Sequence, residues 1–281
     1  MNNNNKFEIT WLPLWKCNFK CPYCRGWANT NALEFQPLNT LIKVWNNFFN
    51  KIQKTEIDLI ISGGEPTIYP NIFELLQYFI TKVSRVHVCT NFSLNAQDFL
   101  NLKLSKEKIF FHPTFHPACM PLDNFINNLM LLKEYVNDVP VTFVADEDNL
   151  KKQKEFTKKI NDCGLQAAPL CLKSFVEEPP KKESVGFRVL NSEDEMKTIK
   201  EIRSEQQIIS SDYENSKQSS FGKKCLAGYK CLYILPNGNI SKCSMDSTYL
   251  GNIFNGDLNL YKEPQLCKQK ICPHQYKNII D

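Results

Sequence analysis

The stretch FEITWLPLWKCNFKCPYC (residues 7–24) joins a predicted β-strand to three closely spaced cysteines. β-branched and aromatic residues are frequent in 7–15, and Cys17, Cys21 and Cys24 follow with the spacing C-x3-C-x2-C. A loop this short can hold three thiolates around one corner of a cubane iron–sulfur cluster and leave the fourth iron without a protein ligand. Such an iron can bind and activate a small molecule. The alternative for this spacing is a zinc site with a distant fourth ligand.

Short β-rich segments alternate with amphipathic segments along the first 172 residues. The predicted strands cover residues 7–15, 57–62, 85–90, 108–114, 140–145 and 164–172. The predicted helices lie between them, at 38–52, 71–83, 96–104, 122–136 and 150–163. This alternation predicts an α/β fold with a parallel sheet and helical crossovers, which we expect to curve into a partial barrel. Active sites of such sheets form at the carboxyl ends of the strands, where the cysteines follow the first strand.

The remainder of the chain contains two further predicted segments. Residues 173–224 are expected to form a linker or lid with one helix near 193–208. Residues 225–281 contain few apolar residues but five cysteines, so we expect a small domain that needs a metal centre to fold. Within this segment PNGN (236–239) predicts a hairpin turn. Residues 1–6 are expected to be a disordered tail.

Composition and charge exclude several classes of protein. The 34 basic and 30 acidic residues form no basic block, so no nucleic-acid partner is expected. No apolar stretch approaches the roughly 18 residues that span a bilayer, and the N-terminus lacks a signal-peptide pattern. We therefore expect a cytoplasmic chain without a membrane partner. Clustered thiols in that compartment usually bind metal or carry out redox chemistry.

A glycine-containing turn follows the second predicted strand. In ISGGEPTIYP, Gly63 and Gly64 allow the backbone to approach a ligand closely, and Glu65, followed by Pro66, adds a carboxylate or carbonyl partner. A glycine pair alone usually marks an ordinary turn. A cysteine triad after the first strand, combined with GGEP after the second, is a far more specific pattern.

This combination resembles the radical S-adenosylmethionine (radical SAM) enzymes over about residues 7–172. The resemblance implies a partial (β/α)6 barrel in which Cys17, Cys21 and Cys24 hold a [4Fe-4S] cluster. The amino and carboxylate groups of SAM would chelate the open iron. Reductive cleavage of SAM then gives a 5′-deoxyadenosyl radical, which abstracts a hydrogen atom from the substrate.

The resemblance also implies roles for residues that contact SAM. Tyr23 would pack near the adenine, and the Gly63–Glu65 segment with Pro66 would receive the methionyl amino group.

Two weaker motifs fit the same plan. CTNFS resembles the family's TNG turn and adds Thr90 and Asn91, with Phe92 in place of the glycine. HPTFHP ends the fourth strand, where the family often has a polar residue near the SAM ribose or carboxylate, so Thr114 and His116 are candidates. A substrate contact or a hydrogen bond within the loop is the alternative for the histidine.

The C-terminal cysteines resemble the SPASM/twitch auxiliary-cluster region over about residues 225–275. Cys225, Gly238 and Cys243 fit C-x12-G-x4-C, and the remaining thiols suffice for one auxiliary [4Fe-4S] cluster, as in the shorter twitch form. The resemblance favours four cluster ligands, namely Cys225, Cys243, Cys267 and Cys272. Because the last spacing, C-x4-C, is wider than expected, Cys231 stays an alternative ligand. Zinc is the alternative metal. Cys89, Cys119, Cys163 and Cys171 show no partner pattern.

The reaction implied by the resemblance is the oxidation or other modification of a small molecule or a peptide. A flavodoxin- or ferredoxin-type protein would supply the electron. Only 16 residues precede Cys17, so we expect no N-terminal peptide-recognition domain, although a separate protein could provide one. Two alternatives stay open: a peptide epimerase or crosslinking maturase of the same superfamily, and a non-catalytic zinc-binding structural or regulatory protein.

Overall fold

The computed structural model of this 281-residue chain describes most of the predicted barrel and the C-terminal segment. The described residues are 6–21, 24, 35–53, 56–136, 139–145, 147–171, 193–205, 219–270, 272 and 278–280. Tyr23, almost all of the predicted tail and most of the predicted linker lie outside the described residues. No helix in the described part of the chain is long and apolar enough to cross a membrane.

Strands and helices alternate through the N-terminal two thirds of the chain, and strands dominate the C-terminal part. The strands are β1 (Lys6–Trp11), β2 (Glu56–Ile61), β3 (Arg85–Thr90), β4 (Ile109–Phe115), β5 (Val141–Ala145), β6 (Ala167–Cys171), β7 (Lys224–Cys225), β8 (Cys231–Ile234), β9 (Asn239–Cys243), β10 (Asp246–Asn252), β11 (Gln265–Leu266) and β12 (Ile279–Ile280). The helices are α1 (Leu38–Ile52), α2 (Ile72–Phe79), α3 (Ala96–Leu100), α4 (Leu122–Leu131), α5 (Glu147–Lys151), α6 (Gln153–Asp162) and α7 (Glu193–Glu205).

One sheet of nine strands organises the molecule, in the order β10-β9-β8-β1-β2-β3-β4-β5-β6. Strands β1 to β6 pair in parallel with their sequence neighbours, which confirms the predicted parallel α/β fold. The first strand ends at Trp11 rather than at residue 15, and Pro13 has no N–H with which to continue the ladder. The segment predicted as one helix at 150–163 lies in two helices, α5 and α6.

An apolar layer between the sheet and the helices holds the barrel together. The buried positions of α1 recur every three or four residues: Leu41, Trp45, Phe48 and Ile52. The Trp45 ring lies 5.4 Å from that of Trp11 on β1 and 5.0 Å from that of Phe79 on α2, both edge to face. Burial of each such side chain contributes about 1.5–3 kcal/mol, so this layer fixes α1 and α2 against the first two strands.

The C-terminal hairpin joins the same sheet. Strand β8 pairs in parallel with β1, and β8 pairs antiparallel with β9 across the predicted PNGN turn, which confirms that hairpin. Gly238 provides the positive φ of 81° that the turn requires. Ile234 and Ile240 belong to the same apolar core as the barrel strands. The division of the chain into a barrel domain and a C-terminal domain stays a prediction.

Candidate functional site

The GGEP turn lies directly against the loop that leads to the cysteines. The Gly64 N–H donates to the carbonyl oxygen of Leu14 and the Glu65 N–H to that of Lys16, both at 3.0 Å. A Cβ added to Gly64 would lie 1.9 Å from the Lys16 oxygen, and one added to Gly63 would lie 2.5 Å from the Leu14 oxygen. The close approach that these glycines permit is therefore to the backbone of 14–16. By this contact the loop after β2 fixes the residue that precedes Cys17.

We expect the substitution Gly64→Ala to separate these two loops. Because the clashing atom is a backbone oxygen, the loops must move apart and both hydrogen bonds weaken. We expect a loss of about 2–4 kcal/mol in the free energy of unfolding, measured by denaturant titration of the metal-free protein. Gly256→Ala is the control for the replacement of glycine itself, since no atom lies within 4 Å of the added Cβ and only its positive φ of 75° disfavours alanine there. An equal loss in both variants would contradict the steric explanation.

The Glu65 carboxylate is a buried junction between the loops after β2 and β3. Glu65 is only 1% exposed. Oε1 accepts from the Thr67 N–H at 3.0 Å, the Thr67 hydroxyl at 2.6 Å and the Thr90 hydroxyl at 2.7 Å. Oε2 accepts from the Asn91 N–H at 2.7 Å. Burial raises the pKa of Glu65, and these donors oppose that shift by stabilising the carboxylate.

This network indicates which atoms of the turn are available to a ligand. Oε1 of Glu65 already accepts three hydrogen bonds and Oε2 accepts one, in a residue that is 1% exposed. The Glu65 carbonyl accepts from the Ile68 N–H. Among the described residues, no hydrogen-bond donor contacts the carbonyl oxygens of Gly63 and Gly64. These two carbonyls, on half-buried residues, are the acceptors of the turn that no described protein group uses.

The turn after β3 resembles the TNG turn in conformation despite its phenylalanine. Phe92 has a left-handed φ of 61°, the region that glycine would occupy, and it is completely buried. Its ring centroid lies 5.8 Å from those of Phe111 and Phe125. A left-handed non-glycine residue costs about 1–2 kcal/mol, and burial of the aromatic ring offsets this cost. Thr90 and Asn91 therefore keep the turn geometry that brings both to Glu65.

Cys17 lies beside this junction. Its Sγ accepts from the Phe19 N–H at 3.3 Å, and the Asn91 side-chain amide points to it at 3.7 Å. Burial raises the pKa of the Cys17 thiol to about 11, and the charges of Glu65 and Cys24 add to the shift. N–H groups aimed at sulfur stabilise a thiolate, and a bound iron would supply the positive charge that keeps it deprotonated. The surroundings of Cys17 thus fit an iron–sulfur ligand.

Cys21 contacts two residues of the loop after β4. Its Sγ lies 3.4 Å from Nδ1 of His116 and 3.6 Å from Sγ of Cys119. Burial lowers the pKa of His116 to about 4, so its imidazole is neutral at pH 7 and can donate through one nitrogen. His116, a candidate for SAM contact in the sequence, lies against a cysteine of the triad. Cys119 has no sequence pattern that would have placed it there.

The carboxyl ends of β1 to β4 therefore bring most of the predicted SAM-site residues together. Hydrogen bonds connect Cys17, Asn91, Thr90 and Glu65 in one network. Thr114 lies on β4, where its hydroxyl is 2.8 Å from that of Thr142 on β5. This hydrogen bond joins two neighbouring strands and does not involve the cysteine loop.

The face of the sheet that points away from the helices, here called the lumen side, carries a histidine pair. Val86 and Val88 of β3 pack in the apolar core, so His87 between them faces the opposite side. Nδ1 of His87 lies 2.9 Å from Nε2 of His112 on β4, and the His87 ring stacks on Phe110. Burial lowers the pKa of His112 to about 4, and His87 adds to the shift. The lumen thus presents an uncharged His112 at neutral pH.

The C-terminal cysteines form a second group. Cys225 and Cys231 are buried and pack together with Cys243 and Cys267. Burial raises the pKa of Cys225, with contributions from the charges of Cys267 and Cys272. In the β8–β9 register Tyr233 pairs with Ser241, so Cys231 lies opposite Cys243. All five thiols of this segment therefore lie in one region, including Cys231, which the resemblance leaves outside the ligand set.

Within the described part of the chain, no three His, Cys, Asp or Glu side chains surround a point that would hold a single metal ion. A four-iron cluster is larger than one ion and occupies the space between its thiolates. The donor chemistry of both cysteine groups, with three and five thiols, suits iron–sulfur ligation.

The chain is similar to known proteins in sequence, although no protein-family model matches it. The antilisterial bacteriocin subtilosin biosynthesis protein AlbA of Bacillus subtilis (strain 168) is 26% identical over 272 residues, which cover 89% of this chain and 57% of AlbA. The AdoMet-dependent heme synthase of Methanosarcina barkeri (strain Fusaro / DSM 804) is 33% identical over 87 residues, 31% of this chain and 24% of that relative. The chain thus spans less than two thirds of the length of either relative.

Solved structures resemble the chain over most of its length. The structure of anSMEcpe with bound AdoMet and the Cp18Cys peptide has a TM-score of 0.62 at 15% identity, covering 89% of this chain and 78% of that one. Streptococcus suis SuiB bound to S-adenosylmethionine has a TM-score of 0.57 at 15% identity, covering 89% and 64%. The fold is that of the radical SAM class of proteins. This fold confirms the resemblance that the motifs predict.

Proposed function

We propose that this chain is a radical SAM enzyme that cleaves SAM reductively and uses the resulting 5′-deoxyadenosyl radical to abstract a hydrogen atom from a substrate. The observation that carries the proposal is the contact between the GGEP turn and the cysteine loop. Two backbone hydrogen bonds place the two halves of the radical SAM signature against each other at the carboxyl end of β1. The described residues around that contact supply thiols as cluster ligands, and the carbonyl oxygens of Gly63 and Gly64 as hydrogen-bond acceptors.

The residues of this site divide into cluster ligands and groups that orient SAM. Cys17, Cys21 and Cys24 would hold the [4Fe-4S] cluster and leave one iron open. The carbonyl oxygens of Gly63 and Gly64 would accept from the methionyl ammonium, because no protein donor in the described residues contacts them. The cofactors supply the radical chemistry when bound, and the protein orients the substrate and excludes water.

Other predicted residues would act through the shape of the site. Thr90 and Asn91 both donate to the Glu65 carboxylate, which fixes the two loops on which SAM would rest. Pro66 begins a short 3-10 helix after the turn and stops it from extending as a strand. Thr114 and His116 remain candidates for the edge of the SAM site, and Tyr23 for the adenine.

We propose that the C-terminal thiols hold one auxiliary [4Fe-4S] cluster through Cys225, Cys243, Cys267 and Cys272. The support is the packing of Cys243 and Cys267 against the cluster that contains Cys225, and the charge interactions of Cys267 and Cys272 with Cys225. Such a cluster could accept an electron from a substrate radical, which would make the net reaction an oxidation. The electron for SAM cleavage would come from a flavodoxin- or ferredoxin-type protein.

The substrate is a peptide or a small molecule, and we favour a peptide. AlbA is named for the biosynthesis of the bacteriocin subtilosin, and anSMEcpe and SuiB were solved with a peptide and a precursor peptide. The polar pair of His87 and His112 lies on the lumen side, where a substrate side chain would enter. Peptide crosslinking and epimerisation are reactions within this proposal.

The experiment that tests this function is the anaerobic incubation of reconstituted protein with SAM and dithionite. We expect 5′-deoxyadenosine and methionine in equal amounts, detected by chromatography with mass spectrometry. Metal analysis of the same sample distinguishes the zinc alternative. Stoichiometric zinc, little iron and no 5′-deoxyadenosine would exclude a radical SAM enzyme and favour a structural or regulatory protein.

The auxiliary ligand set gives a separate prediction. Starting from about eight irons per chain, Cys272→Ser should lower the iron content by up to about four, and Cys231→Ser should leave it unchanged. The charge of Cys272 acts on Cys225, and the resemblance places Cys231 outside the ligand set. Iron and sulfide assays after anaerobic reconstitution check this. Cys163→Ser, at the end of α6, is the control; iron loss in Cys231→Ser alone would assign the fourth position to Cys231.

A further inference from the structure

A buried ion pair lies beside the C-terminal thiols. Lys242 directly precedes Cys243, and Lys242 is only 4% exposed. Its Nζ lies 3.2 Å from Oδ2 of Asp246, whose side chain is 11% exposed. The pair spans the turn between β9 and β10. Lysine is rarely buried in this way unless it is paired, so this position is unusual for a hairpin residue.

The contacts of the pair stabilise its charged form. The Lys242 ammonium donates to Oδ2 of Asp246 at 3.2 Å. The Thr248 N–H and hydroxyl donate to Oδ1 at 3.1 and 2.5 Å. The carboxylate is thus held in one orientation toward the lysine.

The two charges act on the thiols that would hold the auxiliary cluster. Lys242 adjoins Cys243 on β9, and Asp246 pairs with Cys243 in the β9–β10 register. The stem of Lys242 lies beside Gly228, in the loop that follows Cys225. In a poorly solvated region of this kind, a fixed charge acts more strongly than it would in water. The pair therefore does more than close a turn, since it places two opposite charges next to one cysteine group.

We propose that Lys242 and Asp246 tune the reduction potential of the auxiliary cluster in opposite directions. This inference rests on the proposed function, because it requires that the C-terminal thiols hold a cluster. Reduction adds one electron to the cluster without making or breaking a bond, and the added negative charge is stabilised by the ammonium and destabilised by the carboxylate. Lys242 thereby makes the cluster a better electron acceptor, and Asp246 limits that effect.

Three variants test this inference through the sign of the change. The titration uses the full chain with Cys17, Cys21 and Cys24 replaced by alanine, so that only the auxiliary cluster contributes to the EPR signal. In that background we expect Lys242→Met to lower the reduction equilibrium constant on the order of tenfold, which is 59 mV for one electron. Asp246→Asn should raise it. The double variant should return close to the parent value.

Iron analysis before the titration separates the two levels of the proposal. A parent protein without about four irons per chain has no auxiliary cluster, and the proposed function then fails in its C-terminal half. If the parent protein holds four irons but both single variants lower the potential, or both leave it unchanged, the role of the ion pair is overturned and the auxiliary cluster is not. If Lys242→Met loses its iron, Lys242→Arg must keep the parent potential and Asp246→Asn must still raise it; any other result contradicts the inference.

Discussion

A chain with Cys17, Cys21 and Cys24 all replaced by alanine is expected to lose SAM cleavage completely and about four of roughly eight irons. The three thiols would hold the cluster to which SAM binds, and no other described cysteine group can replace them. Cys119 lies 3.6 Å from Cys21 but supplies only one thiol. The measurements are iron and sulfide content after anaerobic reconstitution, together with 5′-deoxyadenosine production in the presence of dithionite.

Cys163→Ala is the matched control for this variant. Cys163 follows α6 and is not part of either cysteine group, so its removal should leave iron content and SAM cleavage unchanged. Retention of four irons in the triple variant supports an auxiliary cluster at the C-terminal thiols. SAM cleavage that survives the triple substitution would show that the radical chemistry does not use residues 17–24.

Glu65→Ala is expected to be the most destabilising single substitution at the site. It removes the acceptor for four donors, from the Thr67 N–H, the Thr67 and Thr90 hydroxyls and the Asn91 N–H. A buried donor left without a partner costs about 1–3 kcal/mol, and even partial rearrangement leaves at least two such donors. We expect the free energy of unfolding to fall by about 3–5 kcal/mol, with the loss of SAM binding.

The measurement for Glu65 is denaturant unfolding of the metal-free protein, which separates loop stability from cluster assembly. Glu74→Ala is the control, since Glu74 is exposed in the first turn of α2 and should change stability by less than about 0.5 kcal/mol. If Glu65→Ala unfolds like the parent protein but fails to bind SAM, its carboxylate serves the ligand and not the loops.

The sequence was sufficient to predict the parallel sheet because periodicity is a local signal. Strand β3 was predicted with its observed bounds, and α1 likewise, since each buries alternate or helically spaced apolar residues. The boundaries that were wrong depend on less local effects. The predicted helix 150–163 divides near Lys152, and apolar periodicity alone carries no sign of that break.

One contact among the C-terminal thiols, between Cys231 and Cys243, could have been predicted from the sequence. Cys231 and Cys243 are each six residues from Asn237, so a hairpin centred on the predicted turn places them opposite one another. Counting outward from the turn would have brought Cys231 into the group. The pairing of β8 with β1 had no such local signal, because it joins residues more than 200 positions apart.

Contacts between loops that are distant in the sequence could not be predicted from it. GGEP indicated a close backbone approach, but only the fold shows that the neighbour is residues 14–16. The same holds for Cys119, which reaches Cys21 through the loop after β4. Such contacts depend on how several strand ends meet, and residues that meet there leave no linear pattern.

The most direct test of the proposed chemistry is the EPR spectrum of the reduced N-terminal cluster with and without SAM. Subtracting the spectrum of the Cys17, Cys21 and Cys24 triple variant from that of the wild type isolates this cluster. We expect SAM to change the difference signal, because its amino and carboxylate groups would bind the open iron, and 5′-deoxyadenosine to form in the same sample. A difference signal that SAM leaves unchanged, without 5′-deoxyadenosine, would contradict the assignment of this chain as a radical SAM enzyme.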